Sequence, residues 1–258
     1  MAVYNGMPYL KEAVVSILRQ TYKNFEFVIV DDASDDNSPK YLKSIKDKRV
    51  TLIINKQNLG LARSLNIGLQ KASGKYIARM DADDISLPNR FHIQLQYLLE
   101  HPQIDLCGCW VDLINEKGQK IGEKKYPIQP DKVKNAITWY AAVIHPTFMA
   151  KSDFFKKLDG YRINYDHAED YDLLSRAKNK FKMANVGRKL LLWRQQKYRR
   201  SRENMAKMDK LDLTIKMESL KRDGLSTNGI LALIKKIIMI YCLPLPIKYQ
   251  LATLFKLA

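Results

Sequence analysis

FEFVIVDDASDDNS, residues 25–38, is an apolar, β-branched run that ends abruptly at two aspartates. A run like FEFVIV (25–30), with no polar alternation, predicts a strand covered on both faces, as in a parallel sheet flanked by helices. Upstream of it, Leu10, Val14, Ile17 and Leu18 recur at helical spacing just after Pro8. Downstream, Ser38 and Pro39 read as the cap and first turn of a second helix. VTLII (50–54) reads as a strand, and LARSLNIGLQKA (61–72) as a helix closed by Gly74. KYIA (75–78) is the next strand, and it too runs into aspartates, in RMDADDIS (79–86). A further helix starts near Pro88 and carries Phe91, Leu95 and Leu98. This βαβαβ rhythm predicts an α/β fold with a parallel, doubly wound sheet, because parallel strands need crossover helices.

Beyond residue 104 the alternation loosens. DLCGCWVDLI (105–114) reads as a strand, NEKGQK as a hairpin turn, and KIGEKKY as the returning strand. PDKVKNAI and DFFKKL predict short helices around AAVIHPTFMA, EDYDLLSRAKN opens another helix, and LLLWR (190–194) is the last strand. Two regions follow from this pattern: residues 1–200 as the α/β domain, and 201–258 as a basic helical tail with helices near 201–223 and 228–257. At the other end, only Met1-Ala2-Val3 stand before the loop Tyr4-Asn5-Gly6, where such a fold needs its central first strand. An absent central strand would leave neighbouring backbone unpaired, so the expectation is a start codon upstream of Met1.

The chain has 258 residues, 46% hydrophobic and 28% charged, which suits one folded domain with an appendage. Its net charge is +17, and residues 188–258 hold sixteen Lys/Arg against five Asp/Glu, so +11 of that charge sits in the last 71 positions. Such a bias points to an anionic partner: a membrane surface, a nucleic acid or another polyanion. A nucleic-acid reading rests on charge alone, without an RNP motif, zinc finger or helix-turn-helix. Cys107, Cys109 and Cys242 show neither zinc spacing nor a disulfide framework, which predicts reduced thiols in the cytoplasm. No secretory leader precedes the first helix, and the longest apolar run, GILALIKKIIMIYCLPLP, is broken by Lys235 and Lys236 and too short for a membrane span. Within it, Ile230, Leu233, Ile234, Ile237, Ile238 and Tyr241 form an apolar stripe suited either to a bilayer interface or to packing on the domain.

The chemistry concentrates in the acidic clusters. In an open α/β sheet the loops at the carboxyl ends of neighbouring strands share one crevice. Asp31 and Asp32 after the first apolar run, and Asp81, Asp83 and Asp84 after KYIA, are thereby brought to one pocket. Carboxylates so gathered suit a hard divalent cation, Mg²⁺ or Mn²⁺, which commonly completes its shell with substrate phosphates. The alternative is helix capping and turn formation, the expected role of Asp35, Asp36 and Asn37. A calcium loop starting at Asp31 is excluded, for it lacks the glycine at its sixth position and the glutamate at its twelfth.

VYNG near the start, VIVDDASDD, NLGLARSLNIGLQKASGKYIARMDADD, HPTFM and AEDYDLLSRA together resemble the successive motifs of family 2 glycosyltransferases with the GT-A fold, over residues 1 to about 200. The resemblance implies a GT-A, Rossmann-like, mostly parallel central sheet and an inverting transfer of sugar from a nucleotide-diphosphate donor to an acceptor hydroxyl. Cell-surface polysaccharide, lipopolysaccharide or glycoconjugate synthesis is the expected setting, and a glycan or lipid-linked molecule the expected acceptor. A non-catalytic nucleotide-sugar-binding relative is the alternative. By the same resemblance Val3, Tyr4 and Asp32, flanked by Asp31, would hold base and ribose, with Arg63 near the nucleotide. Asp81 would touch ribose or the metal shell, Asp83 would bind Mn²⁺ or Mg²⁺, and Asp84 would brace the loop. Asp170 matches the general base, with its neighbour Glu169 second, since adjacent helical residues point about 100° apart. His145 and Arg194 fall in the acceptor or phosphate region. Glutamines, in WRQQKYRR, stand where many relatives have a histidine, and the QxxRW signature of processive synthases is absent, which implies a single transfer per acceptor.

Overall fold

The computed structural model describes residues 1–196 and 205–241. Cys242, the end of the WRQQKYRR stretch and the last part of the expected tail helix lie outside the described residues. The first half follows the expected order: β1 (Ala2–Val3), α1 (Leu10–Leu18), β2 (Phe27–Asp31), α2 (Ser38–Ser44), β3 (Val50–Ile54), α3 (Leu61–Lys71) and β4 (Tyr76–Ala78). β1, β2 and β3 form a parallel sheet in that order, with Ala2 opposite Val30 and Val3 opposite Asp31. The strand expected before the first loop is thus present over two residues. The Met1 amino group extends its pairing by donating to the Val28 carbonyl at 2.9 Å, and burial lowers that amine to about 5.

The second half is a mixed sheet of order β4-β8-β6-β9-β5, with β7 on the outer part of β6. Its members are β5 (Ile85–Ser86), β6 (Leu106–Ile114), β7 (Lys120–Lys124), β8 (Met149–Lys151) and β9 (Met183–Arg194). Only β6 and β9 run parallel here, while β4 pairs antiparallel with β8. The parallel rhythm of the sequence therefore holds for β1–β3. At β4 it gives way, because the chain after residue 104 returns through hairpins and short crossovers. α4 (Arg90–Glu100), α5 (Pro130–Ile137), α6 (Ser152–Lys157) and α7 (Glu169–Ala177) cover the sheets. Two apolar clusters make the core, one around Ile29, Val14, Leu98 and Val111 and one around Phe148, Phe154, Leu106 and Leu174.

Three local readings are corrected. α2 is capped one residue earlier than expected, at Asn37, and its first-turn amide at Ser38 is taken by Asp36 Oδ1 at 2.8 Å. α3 ends at Ala72 in an extended conformation. Gly74 instead gives its N–H to Glu26 Oε1 at 3.0 Å, tying the start of β4 to the approach to β2. β9 begins at Met183, well before LLLWR.

The tail forms α8 (Met205–Asp223) and α9 (Thr227–Tyr241). α8 buries Ile215, Lys216 and Ser219 against α7. Lys216 Nζ donates to Tyr171 Oη at 2.7 Å and to the Trp139 carbonyl at 3.1 Å, and Arg162 reaches Glu218 at 2.7 Å. Among the described residues, no helix is long and apolar enough to cross a membrane.

Candidate functional site

The candidate site draws on the loops after β1 and β2 of the parallel sheet, the bend after β4 in the mixed sheet, and the start of α7. Two loops, Tyr4–Met7 and Ser34–Ser38, are laced together. Asn5 N–H donates to Ser34 Oγ at 2.9 Å, Gly6 N–H to Ser38 Oγ at 3.0 Å, and Met7 N–H to Asp36 Oδ2 at 3.0 Å. Val3 is buried beneath this loop pair and Tyr4 stands 52% exposed above it. Asp31 and Asp32 are both buried but differently committed. Asp32 accepts from Asn55 at 2.7 Å and from the amides of Leu59 and Gly60 at 2.9 Å, so it closes the loop that leads into α3. Asp31 accepts from Ser34 Oγ at 2.6 Å through one oxygen, while its other oxygen has no hydrogen-bond partner. Arg63 is exposed on the first turn of α3 and borders a cavity of about 270 Å³ with Asn164, Asp166 and Lys207.

Beyond β4 the chain bends, and Asp81, Asp83 and Asp84 present carboxylate oxygens that all lie within 4.8 Å of one another. Each aspartate has a partner of its own, two of these partners at or just past the end of β9. Asp81 pairs with Arg79, Asp83 Oδ2 accepts from Gln196 at 2.7 Å, and buried Asp84 Oδ1 accepts the Arg194 N–H at 2.8 Å. Arg194 is itself 1% exposed. Its guanidinium donates to the Asp83 carbonyl at 2.9 Å and to Glu12 at 2.6 Å, and it stacks on Tyr9 with the ring centroid 4.3 Å away. These bonds make Arg194 a pin that fixes the aspartate loop to β9 and α1. Beneath the bend, buried Arg90 donates to the Arg79 carbonyl at 2.5 Å and Gln94 to the Thr147 carbonyl at 2.8 Å, so the loop's backbone rests on α4.

Glu169 and Asp170 open α7, where their charge favours the helix N-terminus. Burial, then the charge of Asp170, pushes Glu169 up to about 7, and burial raises Asp170 as well. Glu169 accepts the His167 N–H at 2.8 Å and lies 3.9 Å from His145 Nδ1. His145 is buried with Nε2 2.9 Å from Tyr161 Oη. Burial and the nearby Arg79 charge hold it well below the usual histidine range, so it is neutral. The base candidates and the aspartate cluster are joined electrostatically by Arg79, whose charge offsets part of the rise at Glu169 and Asp170 while it pairs with Asp81.

Arg79 is the residue that sequence reasoning missed. Its guanidinium is 6% exposed, Nε and Nη1 have no hydrogen-bond partner, and it walls part of a cavity of about 630 Å³ under β2, α3 and β4. The available signal was a cation directly after the apolar strand KYIA, where a surface residue is not expected. Gln196 was noticed only as a missing histidine, yet its amide reaches Asp83. Carboxylates that converge at strand ends beside a neutral histidine and a buried arginine can hold a divalent cation with phosphate oxygens and accept a proton from a hydroxyl.

Known proteins are similar to the chain in sequence and in fold. An uncharacterised glycosyltransferase of Methanocaldococcus jannaschii is 38% identical over 202 residues, covering 75% of this chain and 69% of its own. The O-antigen biosynthesis glycosyltransferase WbnJ of Escherichia coli is 36% identical over 181 residues, covering 69% and 70% respectively. An uncharacterised glycosyltransferase of Haemophilus influenzae is 34% identical over 75% of this chain, which spans 64% of that relative's length. Among solved structures, S. aureus TarS 1–349 in complex with UDP-GlcNAc superposes with a TM-score of 0.73 at 17% identity, over 92% of this chain and 70% of TarS 1–349. The Pyrobaculum calidifontis mannosyltransferase PcManGT, in complex with GDP-Man and Mn²⁺, gives 0.64 at 18%, over 93% of this chain and 68% of its own. Both show the fold. The family model described as glycosyl transferase family 2 matches residues 1–159, and the chain belongs to that family.

Proposed function

We propose that the chain moves a sugar from a nucleoside-diphosphate sugar to an acceptor hydroxyl, with inversion at the anomeric carbon, in the synthesis of a cell-surface polysaccharide, lipopolysaccharide or glycoconjugate. The observation that carries this reading is the convergence of the three aspartates after β4, linked through Arg79 to the carboxyl pair that opens α7. Tyr4, Val3 and the Asp31/Asp32 pair frame the nucleotide, with Arg63 at its edge. Asp83, with Asp81 beside it, would hold Mn²⁺ or Mg²⁺, and Asp84 keeps the loop in place through Arg194. When bound, the cation neutralises charge that builds on the leaving diphosphate. Asp170 takes the acceptor's hydroxyl proton as the new bond to the anomeric carbon forms on one face and the bond to phosphate breaks on the other. Burial raises its affinity for protons, the direction a base needs. Neutral His145, held by Tyr161, borders the acceptor side and stacks edge-on against Phe148. The acceptor would be a glycan or lipid-linked molecule, and the charge of the basic tail supports a reading in which the enzyme works at the cytoplasmic face of a membrane.

Thermal melts with a panel of nucleotide sugars, in Mn²⁺ or in EDTA, test the donor half. Wild type should be stabilised by one donor in Mn²⁺ only, and Asp83→Ala should lose that response. A chain that no donor stabilises in either condition would overturn the reading. Mn²⁺-dependent release of nucleoside diphosphate separates an enzyme from a relative that merely binds the donor.

A further inference from the structure

The α8–α9 hairpin has two unlike faces. On the inner one, Gly229 and Ala232 are buried against α8, and a Cβ on Gly229 would come within 2.6 Å of Leu220 Cδ2, so α9 lies close on its neighbour. Lys236 locks the contact through Asp209 at 2.8 Å and Asp212 at 2.6 Å. On the outer face, Ile230, Leu231, Ile234, Ile237, Ile238 and Tyr241 are 39%, 49%, 46%, 39%, 46% and 71% exposed. At helical periodicity these six fall within an arc of about 120°. Leu233, which the sequence placed on this stripe, turns partly inward, and Leu231 takes its place.

Charge sorts the same way. The acidic residues of the hairpin, Asp209, Asp212, Glu218 and Asp223, are all in ion pairs, with Lys236, Lys216, Arg162 and the Lys178/Arg222 pair. Lys207, Lys210, Lys221 and Lys235 are exposed. α9 itself contains no acidic residue, and the sequence that continues from it, CLPLPIKYQLATLFKLA, holds two lysines, no acid and mostly apolar residues. An apolar stripe with exposed Lys235 at its side and no acidic residue on its own helix, beside an α8 whose acids are all in ion pairs, matches an anionic lipid surface. A water-soluble partner has no need of so apolar and so uniformly cationic a contact.

We propose that the outer face of α9 is a docking surface that seats the protein on an anionic bilayer, with the stripe from Ile230 to Tyr241 in the acyl boundary and exposed Lys235 at the headgroups. This deepens the membrane part of the reading above and rests on it for biological sense, while its test does not depend on transfer chemistry. Because α8 is bonded to α7 beside Asp170, docking would also fix the height of the base over the lipid, as a lipid-linked acceptor requires.

Sedimentation of the full chain with extruded vesicles tests it. Vesicles of phosphatidylglycerol and phosphatidylethanolamine should pellet the wild type, and pure phosphatidylcholine should not. The double variant I234E/I237E should lose about tenfold or more in partitioning, and Leu99→Glu, an equally apolar and exposed site on α4, should lose none. Raising salt to about 0.5 M should weaken binding without abolishing it, because charge is screened and the stripe is not. Equal partitioning of I234E/I237E and wild type would overturn the proposal. So would the absence of binding to anionic vesicles together with a wild-type dimer that I234E/I237E converts to monomer, which would make the face a contact between copies. Mn²⁺-dependent donor hydrolysis by I234E/I237E, with unchanged circular dichroism, shows that a loss of lipid binding is neither unfolding nor failure of the transferase reading.

Discussion

At Arg79 a buried guanidinium faces Asp81 while its field reaches Glu169, Asp170 and His145. A cation in that position favours the ionised carboxylates, so removing it raises their proton affinity. Arg79→Met should therefore shift the acid limb of the pH–rate profile to higher pH and lower turnover at neutral pH by about tenfold. An unchanged limb would mean that Arg79 acts only on Asp81. Glu169 carries its own signature in stability. Its folded value of about 7 lies above its ordinary 4.5, so its contribution is fully present below pH 4.5 and lost as pH rises through 7. Glu169→Gln should flatten the decline in melting temperature between those limits, as melts across pH would show. The aspartate cluster was legible in the sequence, because crowded carboxylates after an apolar strand have no use in folding alone. Arg79 was not, because one cation after a strand reads as surface until burial is known.

Strand β9 shows how an element escapes a sequence pattern. LLLWR marks its second half, but the first half, Met183–Gly187, includes Asn185 and Gly187, which are depleted in strands. Pairing decides the matter: Met183 to Val186 run beside Leu106 to Cys109, and buried Asn185 donates to the carbonyls of Pro127 at 2.8 Å and Ala142 at 2.9 Å. Gly108, on the opposing strand, lets them approach. A Cβ there would meet Val143 Cγ1 at 2.3 Å and Asn185 Oδ1 at 2.4 Å. Gly108→Ala should cost about 1–3 kcal/mol in urea unfolding, an overpacking penalty. In α8, Ile215 is 1% exposed, so Ile215→Ala should cost about 2–4 kcal/mol. A negligible loss would show that α8 is an appendage and not a brace for α7. The buried thiols of Cys107 and Cys109 are pushed up by burial, Cys109 to about 11, and should resist alkylation until the sheet opens.

Over the whole molecule, a donor and cation that bind only the folded chain, as proposed, should at saturation raise stability by about 2.7 kcal/mol at 100 times the dissociation constant. At about 2–4 °C per kcal/mol for a chain of this size, that is a rise of roughly 5–11 °C in melting temperature, cancelled by EDTA or by Asp83→Ala. By itself the sequence determined the β1–β3 parallel order, the helices between those strands and the two acidic strand ends, because period, capping and charge crowding are local signals. The bias of +17 and the apolar stripe on α9 were written there too. Only the tertiary structure decided that β4 leaves the parallel sheet for β8, that Asp32 closes the α3 loop while Asp31 keeps an oxygen without a hydrogen-bond partner, and that α8 locks onto the helix bearing Asp170. Those outcomes depend on which backbone edges and buried donors meet across tens of residues, and residue spacing carries no record of such meetings.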